Sequence, residues 1–305
     1  MLMARYIVVV GGSYVGVNTA QRLADAFAGR MPVVLIEKNS HFQHLFAFPR
    51  YAVTADVDTH KAFIPYIGTF AKCTPGSGTT VQAKVLGLDK DTIHLDREVS
   101  LDGQTVNKIP YAYLVVATGT KLSPPSSLPG TEKLDGYTYL RKHAQKVKRS
   151  SNIAVLGGGA VGVQMATDIK ELYPEKSVTL LHSRLNLMNH FDSRLSDIVV
   201  ARCHELGIKL KLGSRVKIPV QGYPTDGSPF EVNLEDGSSV SADFAIICTG
   251  QTPQSSLIQS VAPQSIDEKG FIKTLKSLQI DDQDHPNIFA VGDVAATGAH
   301  KAAKP

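Results

Sequence analysis

Short apolar runs rich in Val, Ile and Leu alternate along this chain with longer stretches of mixed polarity. The runs are too continuous for strands with one solvated face, and they are typical of parallel strands that helices cover on both sides. The pattern therefore predicts an α/β protein with doubly wound sheets. The runs fall at 7–10, 33–36, 114–117, 153–156, 178–181 and 245–248.

The same order of elements occurs in both halves of the chain. In the first half Gly11 follows a strand and Glu37 ends the next one, and in the second half Gly157 and His182 hold these places. Each half closes on an apolar strand that ends in Thr-Gly. This duplication predicts two Rossmann-like dinucleotide-binding domains. Strand pairs with a turn between them are predicted at 85–95 and 98–106, and at 230–234 and 239–244.

Proline and glycine mark the boundaries between the predicted domains. They are dense over 123–130 and at 252–253, where regular elements are disfavoured. A last apolar strand leads into Gly292 and Asp293 after the second domain, which predicts that the chain returns to the first. We therefore expect a first domain of residues 1–148 and 255–305, with a second domain of residues 149–254 inserted in it.

A glycine-rich turn follows the first strand of each half and leads into a helix. The first turn fills the G-x-G-x-x-G pattern with Gly11, Ser13 and Gly16, and the second is complete over 157–162. Such a turn holds a dinucleotide pyrophosphate against the free N–H groups of a helix N-terminus. Serine at the middle position is small, and its hydroxyl could donate to a phosphate. The alternative is an ordinary tight turn, but two such turns predict two dinucleotides and hence an electron donor and an electron carrier.

Side chains at the strand ends extend this prediction. Glu37 is placed to accept hydrogen bonds from both hydroxyls of an adenosine ribose. The second domain has His182 and Arg184 there, which favours NADPH or at least no longer excludes it, although Arg184 could point into solvent. Asp293 could accept hydrogen bonds from the ribityl hydroxyls of a flavin, or cap a helix.

Composition narrows the function further. The chain has 305 residues, a net charge of +4 and 20% charged residues, which fits a globular protein. A basic stretch at 141–149 is expected to be a solvated helix face, and we expect no nucleic-acid partner. The first strand leaves no room for a signal peptide, and residue 2 is not glycine, which excludes N-myristoylation. No apolar run reaches the roughly 20 residues of a membrane span, so the cytoplasm is the expected location.

Neither a metal site nor a disulfide framework is expected. The three cysteines are far apart and form no C-x-x-C or C-x4-C pair. Three histidines in the first half lie at no standard ligand spacing. These are His41, His44 and His60.

The combination of these motifs resembles the FAD-dependent pyridine-nucleotide oxidoreductases, and within them the apoptosis-inducing-factor-like proteins of the ferroptosis-suppressor and AMID branch. The most specific stretch is 152–184, and the similarity extends from Tyr6 to Asp293. The resemblance implies FAD on the first domain, NADH or NADPH on the second, and hydride transfer between them with no catalytic side chain. It also implies a main-chain contact near Val85 and a basic residue near Arg50 at the FAD site.

The chain departs from that family at three places. It lacks the redox C-x4-C of the disulfide reductases, so a quinone or another small oxidant is the expected acceptor, and contact with a membrane surface is compatible with this. Gln164 stands where relatives often have a glutamate. The chain stops a dozen residues past Asp293, so we expect the relatives' C-terminal domain to be absent. The alternatives are a reductase for a protein such as a ferredoxin, or a non-catalytic nucleotide-binding or signalling protein.

The candidate cofactor residues fall into two groups. Those for FAD are Gly11, Gly12, Ser13, Tyr14, Val15, Gly16, Glu37, Lys38, Arg50, Val85, Ala117, Thr118, Gly119, Gly292 and Asp293. Those of the second domain are Gly157, Gly159, Ala160, Val161, Gly162, Gln164, His182, Arg184 and Gly250.

Overall fold

The computed structural model describes residues 5–55 and 57–298, which form two sheets rich in parallel strands. The strands are β1 (Tyr6–Val10), β2 (Val33–Glu37), β3 (His41–Gln43), β4 (Phe63–Pro65), β5 (Gly78–Gln82), β6 (Val85–Leu88), β7 (Thr92–Leu101), β8 (Gln104–Val116), β9 (Thr120–Leu122), β10 (Asn152–Leu156), β11 (Ser177–His182), β12 (Lys209–Leu212), β13 (Phe230–Asn233), β14 (Ser239–Ala242), β15 (Phe244–Ile247), β16 (Gln251–Pro253) and β17 (Ile288–Ala290). The helices are α1 (Tyr14–Ala26), α2 (Phe48–Val53), α3 (Lys133–Arg149), α4 (Ala160–Leu172), α5 (Ser193–Glu205) and α6 (Ser256–Gln259).

The first sheet has the strand order β5-β2-β1-β8-β7-β6. Strands β5, β2, β1 and the second half of β8 are parallel, and β7 and β6 extend the sheet in antiparallel fashion. Every residue of β1 and β2 is buried, which is why these segments contain almost no polar residues. Strand β17 pairs with β8 in parallel, so residues 288–290 join the sheet that the first 116 residues build.

The second sheet is parallel throughout, with the order β12-β11-β10-β15. The separate hairpin of β13 and β14 packs on one of its faces, where Val232 and Ala242 are buried against Ala154 and Leu156. All strands of this sheet and its hairpin come from residues 152–247.

One hairpin differs from the sequence prediction. A turn was expected between residues 95 and 98, but β7 continues to Leu101 and the turn consists of Asp102 and Gly103. Both residues have positive φ, 49° and 76°, and Leu101 pairs with Gln104. A two-residue Asp-Gly turn of this kind matches the twist of antiparallel strands, whereas the 95–98 segment offers no such residue pair.

Helices α2 and α3 pack on the second sheet, although they precede it in the chain. Phe48 and Val53 of α2 share a buried cluster with Ile153 and Met165. His143 of α3 is buried, and its Nδ1 lies 2.7 Å from the carbonyl oxygen of Ala52. The segment that leaves β3 of the first half is therefore anchored in the core of the second half.

Two short strands cross between the halves as an antiparallel pair, β9 with β16. Reciprocal hydrogen bonds hold them at one end. Thr118 Oγ1 donates to the Gln254 carbonyl at 2.6 Å, and Gln254 Nε2 donates to the Thr118 carbonyl at 2.7 Å. Together with α2, this ribbon fixes how the two sheets face each other.

The basic stretch lies on α3, where Lys142, Lys148 and Arg149 are exposed while His143 is buried. Within residues 5–55 and 57–298, no helix has both the length and the apolar content needed to cross a bilayer.

Candidate functional site

The first glycine turn is shaped by contacts that only glycine permits. Gly11 has φ of +107°, and a Cβ on it would lie 2.4 Å from the Ala117 carbonyl oxygen. A Cβ on Gly16 would lie 1.8 Å from the Gly11 carbonyl oxygen. The turn is therefore packed between the ends of β1 and β8 and the first turn of α1, which leaves the helix N-terminus open at the sheet edge.

The second glycine turn repeats this geometry. Gly157 has φ of +122° and its Cβ would lie 2.4 Å from the Cys248 carbonyl oxygen. A Cβ on Gly162 would lie 1.8 Å from the Gly157 carbonyl oxygen. Ala160 and Val161 begin α4, as Tyr14 and Val15 begin α1.

Serine fits the middle position of the first turn. Ser13 and its counterpart Gly159 are the N-caps of α1 and α4, with φ of −88° and −82°. A Cβ on Gly159 would meet no heavy atom within 4 Å. The Ser13 hydroxyl makes no capping hydrogen bond to α1, so this position tolerates the side chain and leaves its hydroxyl at the turn.

Glu37 is held against the first turn by several hydrogen bonds. Its Oε2 accepts from the Gly12 backbone N–H at 2.5 Å, and its Oε1 accepts from Asn39 N at 2.8 Å and Asn39 Nδ2 at 2.7 Å. A carboxylate offers about four acceptor positions, so about one is left for a ribose hydroxyl. Tyr66 donates to the Gly12 carbonyl at 2.5 Å, and burial raises the pKa of its phenol.

A cavity of about 460 Å³ lies beside Glu37, between β5 and the chain at 66–71. Its wall includes Thr80, whose buried hydroxyl has no hydrogen-bond partner among the described residues, and the amides of Asn39 and Gln82. An unsatisfied buried hydroxyl is costly unless a ligand or water pairs with it. The first fold therefore fits a dinucleotide: a cradle that glycine leaves open, a carboxylate at the strand end, and an adjoining polar cavity.

The remaining candidates of the first group are placed unevenly. A Cβ on Gly292 would lie 3.2 Å from Val15, so Asp293 follows a residue packed on the first turn of α1. Thr118 and Gly119 lead from β8 into the crossover ribbon, and the Thr118 hydroxyl is bonded to Gln254. Val85 begins β6 and pairs with Leu95 of β7. Lys38 is exposed, and its backbone carbonyl accepts a long hydrogen bond of 3.5 Å from Gln82 Nε2.

Arg50 is not directed at the glycine turn. It lies on α2 and forms an ion pair with Asp168 of α4, between the two halves. Burial raises the pKa of Asp168 although the Arg50 charge opposes the rise, and Asp168 Oδ2 has no hydrogen-bond partner in the described part of the chain. The sequence analysis did not select Asp168 as a candidate site residue. It lies one helical turn after the candidate Gln164, on the same face of α4, and this spacing could have identified it.

His182 takes the place in the second fold that Glu37 has in the first. Its Nδ1 accepts from the Gly158 backbone N–H at 3.1 Å, and its Nε2 lies 3.3 Å from Asn189 Oδ1. Burial lowers the pKa of His182, so the ring is neutral at pH 7. Its Nδ1 carries no proton and can therefore accept the hydrogen bond from Gly158. Arg184 is exposed, and Gly250 lies directly before β16 with φ of +70°.

The histidines named in the sequence have other roles. His41 Nδ1 is 3.0 Å from Ser40 Oγ, and His44 Nδ1 is 2.6 Å from the Tyr14 hydroxyl. Over residues 5–55 and 57–298, no group of three or more His, Cys, Asp or Glu side chains could hold a metal ion.

Similar proteins were found by sequence and by fold. The chain is 34% identical over 302 residues to Fe-regulated protein 8 of Mycosarcoma maydis, with 95% of this chain and 73% of that protein covered. It is 31% identical over 312 residues to ferroptosis suppressor protein 1 of Mus musculus, with 98% and 76% covered. The predicted resemblance to the ferroptosis-suppressor branch is thereby confirmed.

Among solved structures, reduced Bacillus anthracis CoADR-RHD superposes with a TM-score of 0.74 at 22% identity, covering 96% of this chain and 51% of that one. The water-forming NADH oxidase from Lactobacillus brevis bound to NADH gives a TM-score of 0.71 at 21% identity, covering 96% and 63%. The chain thus spans about half to two thirds of these solved chains. They confirm the predicted Rossmann-like fold.

The family model described as pyridine nucleotide-disulphide oxidoreductase matches residues 5–304, nearly the full length of the chain. Proteins of this family bind FAD, which agrees with the predicted cofactor. The two cradles of like geometry and this match lead to one conclusion: the chain belongs to the pyridine nucleotide-disulphide oxidoreductase family.

Proposed function

We propose that the protein is an FAD-dependent NAD(P)H oxidoreductase that passes electrons to a quinone-type acceptor. The observation that carries the proposal is the repeated cradle, in which Gly11 and Gly16 make the same close approaches as Gly157 and Gly162. Two anion-binding turns in one chain serve a reaction between two dinucleotides.

The first fold is the proposed FAD site. Ser13 and the first N–H groups of α1 would bind the pyrophosphate, Glu37 one ribose hydroxyl, and Asp293 the ribityl chain. Bound flavin would supply the two-electron chemistry, which the protein itself does not contain. The chain's own contribution is to bind and orient the two cofactors, since hydride transfer depends chiefly on the relative position of the nicotinamide and flavin rings.

The second fold is the proposed NAD(P)H site. A carboxylate at the end of its second strand would repel a ribose 2′-phosphate, but this position holds His182, which is neutral. Arg184 is exposed two residues further on and can meet a phosphate. This arrangement supports NADPH as a donor and does not exclude NADH.

The acceptor follows from the cysteines and the relatives. The free cysteines Cys73, Cys203 and Cys248 lie far apart in sequence, and no C-x4-C pair exists to carry electrons to a disulfide. Burial raises the pKa of the Cys248 thiol to about 12, which keeps it protonated and unreactive. A small diffusible oxidant is therefore favoured, and the likeness to ferroptosis suppressor protein 1 supports a quinone.

Two glycine substitutions separate the proposed sites. Gly11→Ala should lose FAD, so that the purified protein is colourless after incubation with FAD and gel filtration. Gly157→Ala should keep the yellow flavin spectrum but no longer bleach under anaerobic NADPH. Gly29→Ala is the matched control, because Gly29 also has positive φ, +72°, but lies away from both turns with no neighbour within 4 Å.

The acceptor is tested with the bleached wild-type protein. Rapid reoxidation by duroquinone supports the proposal, while reoxidation by a ferredoxin alone would favour a protein acceptor. A wild-type protein that binds no FAD, although its circular dichroism shows a folded chain, would refute the proposal and favour a non-catalytic nucleotide-binding protein.

A further inference from the structure

Four aromatic side chains form a cluster beside the first glycine turn. Tyr14, the first residue of α1, packs its ring against Phe42 and Phe46 at centroid distances of 5.0 and 5.1 Å. Its hydroxyl lies 2.6 Å from Nδ1 of His44, and the Phe46 backbone N–H donates to it at 3.4 Å. The phenol therefore sets the plane of the His44 imidazole at the sheet edge where the turn opens.

The other side of this imidazole is accessible. His44 is exposed, Phe46 keeps 49% of its surface exposed, and Nε2 of His44 has no hydrogen-bond partner in the described ranges. The chain then runs from His44 through α2 to the Arg50 and Asp168 ion pair on the second fold. His44 thus contacts the first residue of α1, and the chain that follows it leads to an ion pair with α4.

A two-electron reduction of a quinone needs two protons, of which a hydride equivalent supplies one. Three other ionisable groups near the first glycine turn or α2 are already engaged: Glu37 with Gly12 and Asn39, Tyr66 with the Gly12 carbonyl, and Asp168 with Arg50. Asp293 also has an interaction within the protein. Histidine is the side chain that most often transfers protons in enzymes, and His44 presents an unengaged nitrogen.

We propose that His44 is the catalytic acid of the acceptor-reducing step and that Tyr14 is its positioning residue. This rests on the proposed function. NAD(P)H is oxidised by two electrons and the quinone is reduced by two; one proton arrives with the hydride equivalent, and the second moves from Nε2 of the His44 imidazolium to a quinone oxygen. An O–H bond forms, the Nε2–H bond breaks, and the neutral imidazole, whose Nδ1–H is held by the Tyr14 oxygen, takes a proton from water.

The test compares an acceptor that needs a proton with one that does not. The FAD-loaded full chain is reduced with NADPH without oxygen, then mixed with duroquinone or with ferricyanide at several pH values. We expect His44→Gln to slow reoxidation by duroquinone about 100-fold and to remove its decline with rising pH, because a glutamine cannot give up a proton. Reoxidation by ferricyanide and bleaching by NADPH should stay within about twofold of wild type.

Two further variants complete the design. Tyr14→Phe keeps the ring packing and removes the hydrogen bond, so we expect duroquinone to react about tenfold more slowly with the pH dependence retained. His41→Gln is the matched control, since His41 lies three residues away on the same hairpin but contacts Ser40, and it should behave as wild type.

Chemical modification tests, without any turnover, whether His44 lies at the binding site of FAD and the quinone. Diethyl pyrocarbonate should modify His44 in the apo-protein, and FAD with duroquinone should protect it while His41 is unaffected, as mapped by mass spectrometry. Equal slowing of duroquinone and ferricyanide, the same loss in His41→Gln, or no protection would overturn the proposal for His44 alone. A wild-type protein that never bleaches would instead overturn the proposed function.

Discussion

Lowering the pH should destabilise the junction between the two halves through one buried histidine. Burial lowers the pKa of His143 from 6.5 to about 4, and the neighbouring Lys146 charge adds to this although the bond to Ala52 opposes it. As the pH falls, the unfolded chain therefore takes up this proton before the folded one. Stability that is fully present above pH 6.5 is lost progressively as the pH falls from 6.5 to the folded-state pKa of about 4.

The magnitude follows from the two pKa values. Linkage predicts a loss of about 2 kcal/mol between pH 7 and pH 5, and about 3 kcal/mol once the pH is below 4. Urea unfolding at pH 7 and pH 5 measures it by difference between wild type and His143→Asn. The asparagine can still donate near the Nδ1 position, but it does not titrate.

The exposed His204 of α5 supplies the control for this experiment. His204→Asn should keep the wild-type loss between pH 7 and pH 5, whereas His143→Asn should lose about 2 kcal/mol less than wild type. If His143→Asn retains the full wild-type pH dependence, the linkage reasoning is refuted. A titration of the His143 ring by NMR with a midpoint near 6.5 would refute it equally.

Three further predictions follow from the contacts. Lys176 is buried and donates to the Ser150 carbonyl at 2.5 Å, so Lys176→Met should cost about 2 kcal/mol of unfolding free energy in urea titrations. Tyr66→Phe removes the bond to Gly12 and should weaken FAD binding by about 1 kcal/mol in calorimetric titrations, with unchanged affinity contradicting the FAD site. His182→Asp places a charge near the donor ribose and should raise KM for NADPH relative to NADH about 30-fold, on the order of 2 kcal/mol; an unchanged ratio would contradict the donor site.

Local patterns were enough to predict the central parallel strands and the two glycine turns. Strand β1 is recognisable because every residue in it is apolar and buried, and Gly11 and Gly157 because no other residue adopts their φ beside a neighbouring carbonyl. The cap that Ser13 occupies has an ordinary φ, which is compatible with a serine at this position.

The features that sequence did not predict depend on contacts between distant segments. The pairing of Arg50 with Asp168 joins residues 118 positions apart, and no local pattern links them. The packing of α2 on the second sheet could not be predicted either, because its apolar residues would fit the core of either half. Tyr66 over the glycine turn carries no motif at all. The misplaced hairpin turn was an avoidable error, since Asp102-Gly103 is a strong local signal.

Direct hydride transfer between the two bound dinucleotides is the central claim, and a deuterium isotope effect tests it most directly. The FAD-loaded protein is mixed in a stopped-flow instrument, without oxygen, with NADPH or with NADPH that carries deuterium at nicotinamide C4. We predict flavin bleaching that is slower with the deuterated donor of one C4 stereochemistry and unchanged with the other. Bleaching at one rate with all three donors, or no bleaching at all, would contradict the claim.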